Sequence, residues 1–102
     1  MLYGLTMFIT ETSLQPVELA RAAEGRGFDS IWAPEHTHIP SARKTPWPGG
    51  PILPDYYSET YDPFVALTAM AAVTTRLKLA TGICLIVQRD PLTTAKAIAT
   101  LD

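Results

Sequence analysis

"PVELARAAEGRGFDSIWAPEHTH", residues 16–38, decides the fold, because a helical period gives way in it to a strand. From Pro16 to about Arg26 the sequence predicts a helix: a proline in the first turn needs no amide partner. Leu19, Ala20, Ala22 and Ala23 form one arc of that helix, and Glu18, Arg21 and Glu24 form the other. Gly27, just past its end, suits a left-handed cap. "FDSIW" then reads as a strand, and Pro34 is followed by Glu35, His36 and His38. Both histidines of the chain therefore stand just past the end of one apolar strand.

Outward from this stretch the alternation continues. "LYGLTMFI" (Leu2–Ile9) is an apolar run of strand length, the pattern of a strand buried on both faces. Asp62 and Pro63 read as the cap and first residue of a second helix, with Arg76 at its far end, where a cation suits the dipole. No charged residue lies between Pro63 and Thr75, which predicts a helix covered on more than one side. "LKLATGICLIV" (77–87) is the third strand region, with Gly82 at a bulge or bend. Asp90-Pro91 repeats the cap and opens a third helix with Leu92, Ala95, Ile98 and Ala99 on one side.

Between second strand and second helix, a loop from about Ala33 to Tyr61 holds six of the nine prolines and the "PWPGGP" stretch. It cannot be regular helix or sheet interior, and loops of this length usually serve function. The order β-α-β-α-β-α implies an α/β fold with a parallel sheet and right-handed crossovers. An open doubly wound sheet and a (β/α)₈ barrel both close such units. A barrel needs roughly 250 residues, so the reading is the N-terminal three βα units of a barrel, incomplete in this chain.

Composition bounds the function. At 102 residues, 47% hydrophobic and 18% charged, the chain is one globular domain at most. A net charge of −2 supplies no basic field, so no nucleic-acid partner is expected. "PFVALTAMAAV" is too short to span a bilayer, and no Lys or Arg precedes Arg21 as a secretory signal would need. The one cysteine, Cys84, allows no internal disulfide and fits a reducing cytosol, so a cytoplasmic protein is expected.

Parallel α/β folds keep their chemistry at the carboxyl ends of the strands. Three segments qualify: "ITET" after the first strand, "PEHTH" after the second and "TGICL" in the third. Neighbouring strands lie about 4.8 Å apart, so the three ends should meet on one patch. His36 is the candidate proton-transfer group and Glu35 its acidic neighbour. The plainer reading makes Glu35 a turn cap and His36 mere filling of that turn, with His38 a loop residue. The Glu35, His36, His38 spacing matches no strong metal motif. Cys84 reads as an inert strand cysteine, Gly49-Gly50 as a turn between prolines, and Arg89 as a solvated arginine.

"ELARAAEGRGFDSIWAPEHTHIP", "DPFVALTAMAAVTTRLKLATGI" and "QRDPLTTAKAIATLD", taken in order, resemble the N-terminal part of the luciferase-like monooxygenase superfamily. The likeness is nearest to its coenzyme F420-dependent oxidoreductases. It implies a (β/α)₈ barrel binding the deazaflavin, or alternatively FMN, and acting on a small organic substrate. It matches Glu35 and His36 to the acid-histidine pair beside the reactive ring, although Glu35 stands where several deazaflavin enzymes have aspartate. It places Thr81, Gly82 and Ile83 against that ring, with a non-prolyl cis peptide at Gly82-Ile83. It also implies a homodimer through the helix 63–75, and phosphate-binding residues on later strands. A non-catalytic, truncated flavin-binding fragment is the other reading.

Overall fold

The computed structural model describes all 102 residues. Three strands, β1 (Gly4–Thr6), β2 (Ser30–Ala33) and β3 (Lys78–Thr81), alternate with three helices, α1 (Pro16–Gly25), α2 (Pro63–Ala71) and α3 (Pro91–Leu101). The strands form one parallel sheet in the order β1-β2-β3. Leu5 pairs with Ile31 and Ile31 with Leu79, and Thr6, Trp32 and Ala80 align in the next row.

α1 ends as its sequence dictates. Gly27 has a φ of 80°, and the amides of Gly27 and Phe28 donate to the carbonyls of Glu24 and Ala23, which closes a Schellman cap. Leu19, Ala20 and Ala23 face inward and pack on Ile31, Ala33, Ala66, Leu67 and Met70. Each large apolar side chain buried there contributes about 1.5–3 kcal/mol. α2 and α3 begin on aspartates: Asp62 accepts the amides of Phe64 and Val65, and Asp90 that of Thr93.

The opposite sheet face is bare. Gly4, Ser30 and Lys78 form one row on it, and Thr6, Trp32 and Ala80 the next. Trp32 is 45% exposed, its indole N–H donating to Ser30 Oγ at 2.9 Å. A Cβ at position 4 would stand 2.8 Å from Ser30 Oγ and 3.0 Å from the indole nitrogen, so glycine is what lets that row close up.

Several expectations need correction. β1 is three residues long, not eight: Phe8 leaves the ladder to pack on Tyr56 and Tyr57, and the Ile9 carbonyl accepts the Tyr61 amide. α2 stops at Ala71, so Arg76 lies beyond its last turn. The connecting turn is instead held by Glu24, whose Oε1 accepts the amides of Thr75, Arg76 and Leu77. Within this chain α2 is covered on one side only: Pro63, Phe64, Ala66, Leu67 and Met70 are buried, whereas Val65 is 71% exposed. On α3 the buried residue is Thr94; Leu92 faces outward, and the half-exposed Ile98 lines an apolar cavity beside β3. β3 ends at Thr81, and the chain bends at Gly82. No helix is long and apolar enough to cross a membrane.

Candidate functional site

The carboxyl ends of the strands do meet on one edge. The Gly82 amide donates to the Ala33 carbonyl at 2.8 Å, which puts the bend after β3 beside the start of "PEH". The end of β1 arrives through aromatic rings. Phe8 packs on Tyr57 at 4.8 Å between centroids, and Tyr57 packs on His36 at 5.3 Å.

From that edge Glu35 and His36 diverge. Glu35 turns inward and is 1% exposed. Its Oε2 accepts the Leu85 amide at 2.7 Å, and its Oε1 takes hydrogen bonds from the Arg89 guanidinium. Arg89 also donates to Asp62 Oδ2 at 2.6 Å and lies over the Phe64 ring, 4.7 Å from its centroid. One guanidinium thus ties together the end of β2, the first turn of α2 and the loop into α3. Arg89 is 14% exposed, so the expectation of a solvated arginine is overturned: its planar fork fits two carboxylates at once. The buried Glu35–Arg89 pair gains little net stability, but removing Arg89 strands the Glu35 charge, at about 3–5 kcal/mol.

The electrostatics follow from this arrangement. Glu35 draws the Arg89 pKa upward against the burial that would lower it, so the guanidinium stays charged. Burial opposes ionisation of Asp62, yet Arg89 and the α2 amides outweigh it and hold that carboxyl below its ordinary value. Burial, and then the Glu35 charge, push the Cys84 thiol up. Cys84 lies past the end of β3, not within the strand, and its raised pKa leaves it a poor nucleophile.

His36 turns the other way and is half-buried. It lines a polar cleft of about 220 Å³ with Glu35, Thr60 and Asp62, and a second of about 390 Å³ with His38, Arg43, Trp47 and Tyr57. The wall of the second cleft is the proline-rich loop. At its tip Trp47–Gly50 form the expected turn, closed by a bond from the Gly50 amide to the Trp47 carbonyl. The Trp47 indole N–H donates to Tyr57 Oη at 3.1 Å, and the two rings meet edge to face. The rim beneath is pinned by Thr37, which donates to Gln88 at 2.5 Å. His38 is exposed and contacts Thr37 through Nδ1.

The other expected residues are placed unevenly. Gly82 stands on the shared edge, and Ile83 is exposed on the rim. Thr81 belongs by its side chain to a different space, an apolar cavity of about 540 Å³ on the helix side of β3 with Leu67, Ile86 and Leu101. No peptide bond is cis, so the cis linkage expected at Gly82-Ile83 is corrected to trans, the form favoured by about 2.5–4 kcal/mol at a non-proline bond. No three His, Cys, Asp or Glu side chains gather as a metal site. Arg89, Asp62, Tyr57 and Trp47 were not legible as site residues. The one available signal was an arginine directly before the "DP" cap, on the loop that leaves β3.

The family described as luciferase-like monooxygenase matches residues 11–102. Among curated proteins, an uncharacterised protein of Mycobacterium bovis is 49% identical over 103 residues. Uncharacterised proteins from two strains of Mycobacterium tuberculosis share the same identity. The alignment takes in 98% of this chain and 36% of each relative, so the chain spans about a third of the length of the curated relatives it matches.

Proposed function

The chain belongs to the luciferase-like monooxygenase family, and from that premise we propose that it supplies the opening three βα units of a (β/α)₈ oxidoreductase. In this reading the enzyme moves a hydride between coenzyme F420 and a small organic substrate, in the cytoplasm. The observation that carries it is His36, held on the Tyr57 ring at the carboxyl edge and facing an aromatic-walled cleft. The bare sheet face, with its rows of Gly4, Ser30, Lys78 and Thr6, Trp32, Ala80, suits the layered interior of a barrel.

The residues present fit a planar ring. Tyr57 and Trp47 offer aromatic surface, and the His36 imidazole packs against the Tyr57 ring. The phosphate end has no comparable cradle here: Arg89 is committed to two carboxylates, and Arg43 lies at the cleft beside the loop. When bound, the reduced deazaflavin or flavin supplies the hydride. His36 exchanges the accompanying proton with the substrate through a ring nitrogen. Tyr57 and the Thr37–Gln88 bond orient the rim, and the proline-rich loop excludes water as a lid. The family's description as monooxygenase favours a second reading, in which FMN takes the same place and the substrate is oxygenated.

Purifying the full-length protein and identifying its bound chromophore tests this. Retained F420 supports the first reading and retained FMN the second, and binding of neither, even on reconstitution, overturns both. Substituting His36→Asn should then lower turnover while the ring stays bound. We further propose that two full-length copies pair through the outer face of α2, where Val65, Thr68 and Ala72 are exposed. Val65→Glu should shift such a dimer to monomer in sedimentation.

A further inference from the structure

We propose that Arg89 is a positioning residue: by pinning the Glu35 carboxylate inside the protein it fixes where His36 stands. The inference rests on the preceding reading only for the identity of the ring that His36 faces.

Two neighbours in sequence have opposite fates here. Glu35 and His36 are consecutive, so the orientation of one constrains the other through a single peptide unit. Glu35 is buried and its two oxygens are fully engaged, by the Leu85 amide on one side and by Arg89 on the other. His36 has no comparable anchor and is seated on the Tyr57 ring by packing. The strong, directional contacts at this edge therefore belong to Glu35, and His36 inherits its position from them.

Arg89 is itself immobilised from three sides: Glu35, Asp62 and the Phe64 ring. Asp62 is tethered in turn to the first turn of α2. The guanidinium thus refers the histidine rim to a helix terminus and not to the loop. Its removal leaves a buried carboxylate with one amide partner, which must find water or another donor. The space open to it is the polar cleft, which Glu35 and His36 line together. The carboxylate relaxes into the cleft that the imidazole faces, and the rim moves with it.

The test uses the full-length protein with isotope-labelled histidine, His36 being assigned by its loss in a His36→Asn spectrum. In the wild type the ring-current field of Tyr57 displaces the His36 ring resonances from their free-histidine positions. In Arg89→Met that displacement should collapse, and affinity for F420 or FMN should fall by about tenfold or more. Met70→Ala serves as a control that lowers the melting temperature from the core while leaving both readouts in place. Arg89→Lys keeps the charge but cannot fork between Glu35 and Asp62, and it should give an intermediate displacement, which covers the case in which Arg89→Met does not fold. Unchanged His36 resonances in the folded variants, whatever happens to their melting, overturn the proposal. Because these resonances are read without cofactor, a wild type that binds neither ring overturns the functional reading alone.

Discussion

Replacing Gly49 by alanine separates the wall of the cleft from the fold that carries it. A Cβ at this position would lie 2.1 Å from the far edge of the Trp47 indole, where ordinary contact begins at 3.4 Å. The indole must swing aside by more than about 1 Å, since non-bonded carbons settle roughly 3.5–4.0 Å apart. The backbone tolerates the change, because Gly49, unlike Gly50 at φ 153°, is outside the left-handed region. The swing costs Trp47 its bond to Tyr57 Oη, worth about 0.5–1.5 kcal/mol net. The edge-on ring contact is worth a further ~0.5–1.5 kcal/mol. With both rings half-buried, about 1–2 kcal/mol is the fair sum, so the ratio of docked to undocked loop should fall by a factor of roughly 5–30. Neither ring is in the core cluster, and global unfolding should barely shift. In the full-length protein, the difference in emission from a Trp47→Phe variant isolates the signal of Trp47. The expected result is a red shift and readier quenching by a soluble quencher, with an unchanged melting transition. Unaltered emission would show that the wall is not built this way, and a lost transition that the loop is part of the core.

Three further outcomes follow from the same geometry. Asp62→Asn keeps an acceptor for the Phe64 and Val65 amides but loses the charge opposite Arg89, whereas Asp62→Ala loses both. Urea titration should therefore find the alanine variant less stable than the asparagine by about 1 kcal/mol, and equal values would mean that the cap contributes nothing. The carboxyls of Asp62, Glu24 and Asp90 are all depressed in the folded state, so their stabilisation is complete above the ordinary carboxylate range and lost as pH falls through the folded values. Melting temperature should hold from neutrality to near pH 5 and fall below about pH 4, less steeply in Glu24→Gln, and a protein that gains stability on acidification contradicts this. The 102-residue stretch expressed by itself should self-associate, because both edge strands and the Trp32 face are uncovered. A monodisperse, cooperatively melting monomer would count against it.

The scaffold was legible wherever the determinants are local. Pro16 and Gly27 bound α1, Asp62 and Asp90 start α2 and α3, and the "PWPGGP" tip folds as the expected turn. Strand lengths were not legible, because what ends β1 is a partner dozens of residues away: Tyr61 for the Ile9 carbonyl, Tyr56 and Tyr57 for Phe8. The helix faces failed for a related reason. Leu92 and Val65 look like core residues by chemistry, yet they stand largely uncovered in this chain. At the site, His36 could be singled out because an imidazole after a strand is conspicuous. Arg89 could not, since an arginine beside a helix cap is ordinarily solvated. Only the fold shows two acids, 54 and 27 residues away in sequence, closing on it.

The two sides of the cleft are held by forces of different range, and this sets how each can behave. Glu35, the neighbour of His36 in sequence, is held by charge-assisted bonds in a nearly dry interior, where a small displacement forfeits the whole contact and the energy well is narrow. The Trp47 wall rests on one neutral hydrogen bond and edge-on ring contacts in a half-exposed loop, where a displaced ring is soon compensated by water. The loop's prolines limit the entropy that docking must overcome, so docked and undocked forms can lie within a few kcal/mol of each other. A catalytic imidazole needs the first kind of support, since proton transfer tolerates little error in distance. A cleft that must admit and release its ligand needs the second. Under the proposed function the chain divides the two demands, with the buried Glu35 carboxylate and Arg89 on one bank and the aromatic residues on the other.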